Sequence, residues 1–355
     1  MKKILNKLSQ LPITKGENQQ LEPVTKRFAF RLTGYYKNLI DWNNQDDPLR
    51  KLVIPNVSEI QERGELDISQ EKKYTVIKGL EHKYKDTALL LTAPTCDSYC
   101  RYCFRKRLFM EDNEEVPAQF DEVLSYIRNH LEISDVILSG GDPLVLSTRR
   151  LESIIEPLSD IKHVKVIRIG SKTPAFNPLR ILEDPSLPEM LGKYITQERK
   201  IYLMAHFDHP REITPEAIYS IKSFQDFGIL AFNQHPIIKG VNDDPRVISS
   251  LIDKLILLGV QPYYIFICRP TLGNKDFSVP VEKSFEIFNQ AYQNLSGISR
   301  TARLIMSHTV GKIEVIGLDK NNAYFRYHRA VNPSYEGKIV SCKRNPEAIW
   351  FDDYQ

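Results

Sequence analysis

The chain has 355 residues, of which 42% are hydrophobic, and this is enough to bury one large core or two modest ones. The formal net charge of +3 excludes a surface built to coat nucleic acid. No segment approaches the roughly 18 apolar residues of a membrane span. The opening "MKKILNKLSQLPITKG" has no signal-peptide pattern, so we expect a cytoplasmic protein without a membrane partner.

The first 85 residues mix helical signals with proline-bounded loops, which predicts a mainly helical cap over residues 1–85. In residues 86–311, short apolar runs alternate with segments of helical period such as 215–228 and 244–259. Six or seven strands joined by crossover helices predict an α/β fold with a parallel sheet curled into a full or partial barrel. Residues 312–355 hold three short runs typical of antiparallel strands, so a short β extension is expected there.

Three of the five cysteines, Cys96, Cys100 and Cys103, follow the first predicted barrel strand, "TALLLTA" (87–93). The carboxyl-terminal rim of such a barrel carries the active site. Three thiolates are one short of a closed zinc site, which would need Cys268 or a histidine as the fourth ligand. A [4Fe-4S] cluster on three thiolates would instead leave one iron open to a small molecule. Three buried cysteines without metal are disfavoured, because the neighbouring arginines would be hard to bury with them.

The spacing C-x3-C-x2-C resembles that of the radical S-adenosylmethionine enzymes. From about Tyr35 to about Lys312 the chain further resembles the lysine 2,3-aminomutase family in five motifs: "LSGGDPL" (138–144), "IRIGSKTP" (167–174), "HFDHPREIT" (206–214), "NQHPIIKGVND" (233–243) and "PYYIFICRPTLGN" (262–274). The resemblance implies a partial (β/α)6 barrel and a reaction that uses a [4Fe-4S] cluster, S-adenosylmethionine and pyridoxal 5′-phosphate.

The same resemblance implies an isomerase that moves an amino group from C2 to C3 of an amino acid. In such an enzyme the reduced cluster cleaves S-adenosylmethionine, and the resulting 5′-deoxyadenosyl radical abstracts hydrogen from C3. The implied partners are a small-molecule amino acid and an electron donor such as a reductase, ferredoxin or flavodoxin. Homo-oligomerisation is left open.

The motif "SGGDP" follows the second strand, where Gly140 and Gly141 would let the backbone approach a ligand and Asp142 would accept from an ammonium group. By resemblance, Ser139, Gly140, Gly141 and Asp142 bind S-adenosylmethionine, whose methionine ammonium Asp142 receives. An ordinary strand-to-helix turn is the alternative.

Arg105 lies two residues past Cys103 and could clamp a carboxylate with two parallel hydrogen bonds, as the family's carboxylate-binding arginine does. A solvated basic face is the alternative. Gly311 and Lys312 match the end of the family's glycine-rich turn, whose lysine holds pyridoxal phosphate as a Schiff base. The other glycines of that turn are absent here, and a surface lysine that opens a strand is the alternative for Lys312.

Arg269 occupies the position at which lysine aminomutases carry an aspartate for the distal ammonium of lysine. The second family aspartate is not evident near residues 305–307. A cation at this place disfavours lysine and favours a substrate with an anionic or uncharged distal end, such as glutamate.

Three further alternatives stay open. His206, Asp208 and His209 could bind a divalent metal, as in metallohydrolase barrels. A radical enzyme could act on a related substrate without pyridoxal phosphate and without amino migration. A cluster-bearing scaffold that has lost its chemistry is the third, and the intact cysteines argue against it.

Overall fold

The structure, a computed structural model, describes residues 3–60, 65–110 and 113–354. Its strands are β1 (Ile4–Leu5), β2 (Leu32–Thr33), β3 (Thr75–Ile77), β4 (Leu80–Tyr84), β5 (Thr87–Ala93), β6 (Asp135–Gly140), β7 (Val166–Ser171), β8 (Lys200–Ala205), β9 (Leu230–Ile237), β10 (Val260–Ile267), β11 (Arg303–His308), β12 (Gly311–Leu318), β13 (Asn322–Ala330) and β14 (Ile339–Lys343). Its helices are α1 (Lys15–Arg27), α2 (Gly34–Lys37), α3 (Pro48–Val53), α4 (Glu71–Tyr74), α5 (Asp121–Asn129), α6 (Thr148–Ser159), α7 (Thr173–Phe176), α8 (Leu179–Leu182), α9 (Ser186–Lys193), α10 (Pro215–Gln225), α11 (Pro245–Leu257) and α12 (Val281–Gln293).

The central sheet contains strands β3 to β14, and their spatial order follows the chain. Strands β5 to β11 run parallel, with helices in the connections between them. The hairpin β3–β4 extends the sheet antiparallel on one side, and β12 to β14 do so on the other. Strands β3 and β14 are its edges, and no pairing between described residues closes the sheet. The predicted partial barrel is therefore confirmed.

The alternation of side chains along each strand separates a helix-packed face from the barrel interior. In β6, Val136 and Leu138 are fully buried in the core against the helices, whereas Ile137 and Ser139 on the other face are only half-buried. The interior of the barrel is consequently the face that can hold small molecules.

Helix α6 shows how the outer layer forms. Its apolar residues Leu151, Ile154, Ile155 and Leu158 recur at helical spacing and are all buried. Burial of each such side chain contributes roughly 1.5 to 3 kcal/mol. Ser147 precedes the helix and accepts a hydrogen bond from the backbone N–H of Arg150, so it caps the helix start.

The N-terminal residues pack on the end of the barrel at which the parallel strands terminate. Tyr36 and Leu52 share a buried core with Tyr102, which lies in the loop after β5, and with Phe176, which follows β7. The rings of Tyr36 and Phe176 meet edge to face at 4.8 Å. This packing covers the rim at which the cysteines lie.

The described N-terminal residues contain the helices α1 to α4 and also add strands β3 and β4 to the central sheet. The C-terminal residues add strands β12 to β14. The division of the chain at residues 85 and 311 stays a prediction. No helix among the described residues is long and apolar enough to cross a membrane.

Candidate active site

The cysteine loop leaves the carboxyl end of β5 and is fastened to the N-terminal region. The backbone N–H of Arg101 donates to the carbonyl of Leu52 at 2.8 Å. The Arg101 guanidinium is buried and donates to the Glu59 carboxylate at 2.7 to 3.2 Å and to the carbonyl of Ala29 at 2.9 Å. These contacts account for the first of the arginines around the cysteines: it is buried because it is paired.

Cys96, Cys100 and Cys103 are free thiols, each half-buried in this loop. Burial raises the pKa of Cys96 well above its usual value, and Asp142, Cys103 and Cys100 act in the same direction. Each of the three sulfurs is therefore within electrostatic reach of the others. Three free thiols in one loop supply the number and type of protein ligands that a [4Fe-4S] cluster with one open iron requires.

Gly140 and Gly141 are required by the close approach of the turn after β6 to the cysteine loop. The N–H of Gly141 donates to the carbonyl of Ala93 at 2.7 Å, and that of Asp142 donates to the carbonyl of Thr95 at 2.9 Å. A Cβ on Gly140, whose φ is +112°, would stand 2.7 Å from the Ala93 oxygen, and one on Gly141 would stand 2.1 Å from the Thr95 oxygen. The glycines thus join two loops of the site.

Asp142 is buried, and its carboxylate is surrounded by donors of the chain itself. Oδ1 accepts from the N–H of Leu144 at 3.0 Å. Oδ2 accepts from Ser171 Oγ at 2.9 Å and from the N–H groups of Lys172 and Thr173 at 2.8 and 3.0 Å. Burial raises the pKa of Asp142. Its observed role is to tie the turn after β6 to the end of β7, and an ammonium ligand would have to share these oxygens.

Arg105, Lys106 and Arg107 do not form a solvated basic face, because only 8%, 6% and 6% of their surfaces are exposed. Arg105 donates through Nε and Nη2 to Glu71 at 2.7 to 3.1 Å, and through Nη1 to Ser139 Oγ at 2.9 Å. Ser139, which the resemblance assigns to S-adenosylmethionine, therefore contacts Arg105, which the resemblance assigns to the carboxylate of the substrate.

Arg269 follows β10 and faces the same interior. Its guanidinium lies 3.6 Å from the ring centroid of Phe104, and that of Arg105 lies 4.8 Å from the same centroid. Nη1 of Arg269 donates to Ser69 Oγ at 2.6 Å. Burial lowers the pKa of Arg269 to about 10, with Glu71 opposing and Arg105 reinforcing the shift. The two predicted substrate arginines therefore stand together around one aromatic ring.

Lys312 lies in β12 opposite Ser307 of β11, and its amine donates to Ser307 Oγ at 2.5 Å. The amine also sits 5.1 Å from the ring centroid of Phe266. Burial lowers the pKa of Lys312 well below its usual value, and the charges of Arg269 and Lys83 add to this effect. Lys312 is thus a half-buried lysine on the barrel side of β12, and the lowered pKa favours the neutral amine that a Schiff base with pyridoxal phosphate requires.

Three charged residues of the site were missed by sequence reasoning, namely Glu71, Glu81 and Lys83. Burial raises the pKa of Glu81, and Glu71 acts in the same direction. Burial lowers the pKa of Lys83 to about 8, and the charge of Arg269 adds to it. The signal in the sequence was "LEHKY" (80–84), a strand-like run with opposite charges two residues apart, which places both on one face.

His206 and Asp208 are engaged within the protein. Tyr102 OH donates to Asp208 Oδ2 at 2.5 Å and lies 2.9 Å from His206 Nε2. Lys172 Nζ donates to the same Asp208 oxygen at 2.6 Å. His209 accepts from a backbone N–H at the start of a 3-10 turn. In the described part of the chain, no three His, Cys, Asp or Glu side chains form a group that could hold a single metal ion. This applies to Cys96, Cys100 and Cys103 as well, so their ligation of a multi-iron cluster stays a prediction.

The chain resembles known aminomutases over most of its length, although no family model matches it. It is 50% identical over 343 residues to "Putative L-lysine 2,3-aminomutase" of Aquifex aeolicus, covering 96% of this chain and 92% of that protein. It is 38% identical to L-lysine 2,3-aminomutase of Clostridium subterminale, covering 81% of this chain and 68% of that protein. It is 32% identical to glutamate 2,3-aminomutase of Clostridioides difficile, covering 95% and 78%. Among solved structures, a radical SAM methyltransferase from Sphaerobacter thermophilus aligns with a TM-score of 0.45 at 16% identity, over 73% of this chain and 72% of that one.

Proposed function

The chain belongs to the lysine 2,3-aminomutase family of radical S-adenosylmethionine enzymes, and from that premise we propose that it moves the amino group of an amino acid with an anionic distal end from C2 to C3. The expected family is thus confirmed. The protein is an isomerase that acts on a small molecule, and its cofactors are a [4Fe-4S] cluster, S-adenosylmethionine and pyridoxal 5′-phosphate. When bound, the first two supply the 5′-deoxyadenosyl radical and the third carries the migrating nitrogen.

The observation that carries the proposal is that Arg105 and Arg269 lie against one aromatic ring, that of Phe104, beside the cysteine loop, and that the charge of Arg269 acts on Lys312. In the proposed assignment, Cys96, Cys100 and Cys103 ligate the cluster. Ser139, Gly140, Gly141 and Asp142 line the place of S-adenosylmethionine. Lys312 holds pyridoxal phosphate, Arg105 binds the α-carboxylate of the substrate, and Arg269 receives its distal end. The surrounding barrel wall excludes water from the reacting carbon.

Arg269 supports glutamate as the substrate. With a pKa near 10 its guanidinium is still a cation at neutral pH. It stacks on Phe104 and donates to an uncharged hydroxyl, that of Ser69, so a substrate carboxylate would be an additional and stronger partner. The ammonium of lysine would instead meet a like charge. A glutamate 2,3-aminomutase is among the relatives at 32% identity, below the 38% and 50% of the lysine 2,3-aminomutases compared above, so the assignment rests on Arg269 and not on the degree of similarity.

Anaerobic reconstitution with iron, sulfide, pyridoxal phosphate and S-adenosylmethionine tests the function. Mass spectrometry of products from a panel of amino acids should detect 3-aminoglutarate from glutamate. Formation of 5′-deoxyadenosine without any 3-amino product would refute amino migration and favour another radical reaction.

We also propose that the enzyme works in the cytoplasm, where a reductase, ferredoxin or flavodoxin supplies the electron that reduces the cluster. A homo-oligomeric state is proposed as well, and sedimentation of the reconstituted enzyme measures it. Reduction by a purified flavodoxin system, followed by the electron paramagnetic resonance signal of the reduced cluster, tests the donor.

A further inference from the structure

A short segment outside the parallel strands, residues 67–74, contacts both arginines that the proposed function assigns to the substrate. Ser69 accepts a hydrogen bond from Arg269 at 2.6 Å. Glu71, at the start of α4, accepts from Arg105 at 2.7 to 3.1 Å. Because these arginines are 34 and 200 residues away along the chain, the contacts are a product of tertiary structure.

The Glu71 carboxylate is built into the site and not merely near it. Only 7% of the residue is exposed. Its second oxygen also accepts from Arg107 Nη2 at 2.7 Å, and Arg107 is itself held by Glu115 at 2.9 Å. Burial by itself would raise the pKa of Glu71, but the charges of Arg105 and Arg107 hold that pKa well below its usual range.

The hydrogen bonds of Arg105 leave part of its guanidinium for another ligand. A guanidinium has five N–H groups. Glu71 takes the Nε hydrogen and one on Nη2, and Ser139 takes one on Nη1. One hydrogen on each terminal nitrogen remains, so both terminal nitrogens can still donate to a second carboxylate.

We propose that Glu71 is the positioning residue for Arg105: its carboxylate fixes the guanidinium through the Nε edge and so presents the terminal nitrogens to the α-carboxylate of the amino-acid substrate. The proposal rests on the assignment of Arg105 in the proposed function. A carboxylate that merely stood in for the substrate would occupy the terminal nitrogens together and would lack a second arginine. Glu71 instead uses the Nε edge and is shared with Arg107.

Glu115 offers a matched control. It accepts from Arg107 Nε at 3.0 Å and from Nη2 at 2.9 Å, and among the described residues Arg105 donates to Glu71 and Ser139 but not to Glu115. Glu115→Gln therefore removes a carboxylate from the same charged network without removing the group that orients Arg105.

The experiment measures the half-saturating concentrations of glutamate and of S-adenosylmethionine for 5′-deoxyadenosine release by the reconstituted wild type, Glu71→Gln, Glu71→Asp and Glu115→Gln. We expect Glu71→Gln to raise the glutamate value about tenfold or more, because charge-assisted hydrogen bonds to Arg105 are lost. The S-adenosylmethionine value should stay within twofold of wild type. Glu71→Asp should lie between Glu71→Gln and wild type, and Glu115→Gln should behave as wild type.

If the half-saturating concentration of glutamate is unchanged or lowered in Glu71→Gln, the positioning role is overturned. It is also overturned if the half-saturating concentrations of glutamate and S-adenosylmethionine rise by the same factor. If Glu71→Gln does not fold, the same comparison of half-saturating concentrations is made between Glu71→Asp and wild type. Wild-type release of 5′-deoxyadenosine without a 3-amino product would refute the proposed function alone, since the positioning test needs only amino-acid binding. A wild type that responds to no amino acid would overturn both.

Discussion

Replacing Arg269 by Asp tests the substrate assignment, because the change exchanges the charge at the distal end of the pocket. The wild-type guanidinium lies 3.6 Å from the ring centroid of Phe104 and retains its charge at neutral pH, with a pKa of about 10. A charged hydrogen bond in such a place contributes roughly 1.5 to 3 kcal/mol, or about ten- to hundredfold in kcat/KM. Two carboxylates at about 4 Å would add repulsion of up to about 4 kcal/mol at an effective dielectric constant near 20.

We therefore expect Arg269→Asp to lower kcat/KM for glutamate at least a hundredfold and to raise the ratio of lysine to glutamate turnover. The assay is product formation from equimolar glutamate and lysine under anaerobic conditions, read by mass spectrometry. Ser69→Ala is the control, since it removes the internal acceptor of Arg269 and keeps the cation. If the ratio of lysine to glutamate turnover in Arg269→Asp stays within threefold of the wild-type ratio, Arg269 does not set specificity.

Three further outcomes follow from the site. Cys100→Ala should lose iron and 5′-deoxyadenosine formation after reconstitution, as should the same change at Cys96 or Cys103; full iron content in any of them would contradict cluster ligation by that thiol. Borohydride reduction of the holoenzyme should fix a pyridoxyl group on Lys312, because burial lowers the pKa of its amine and so favours Schiff-base formation, and peptide mapping that finds the label on another lysine would reject this assignment. Gly141→Ala should lower the unfolding midpoint and the iron content, since the new Cβ would stand 2.1 Å from the Thr95 oxygen, whereas a Cβ at Gly297 would meet nothing within 4 Å. We expect a cost of about 2 kcal/mol or more for Gly141→Ala in chemical denaturation, and equal behaviour of Gly141→Ala and Gly297→Ala would refute the packing argument.

Local periodicity in the sequence was sufficient to predict a parallel sheet with helices in its connections. That the barrel is partial was implied by the resemblance to the aminomutase family. The buried series Leu151, Ile154, Ile155 and Leu158 is visible as a helical face in the printed residues. The cysteine loop was equally accessible, since the three cysteines predicted to ligate one cluster lie within eight residues of the sequence.

Only the tertiary structure showed which charged side chains surround Arg105 and Arg269, the arginines of the proposed substrate site. Glu71 and Arg105 are 34 residues apart, and no local pattern records that their side chains meet. The same holds for Asp142, whose Oδ2 accepts from donors 29 to 31 residues away at the end of the neighbouring strand. Periodicity reports the direction of a side chain relative to its own helix or strand. Pairing between distant carboxylates and guanidinium groups depends on the path of the chain between them, and the parallel sheet with its antiparallel hairpin sets that path.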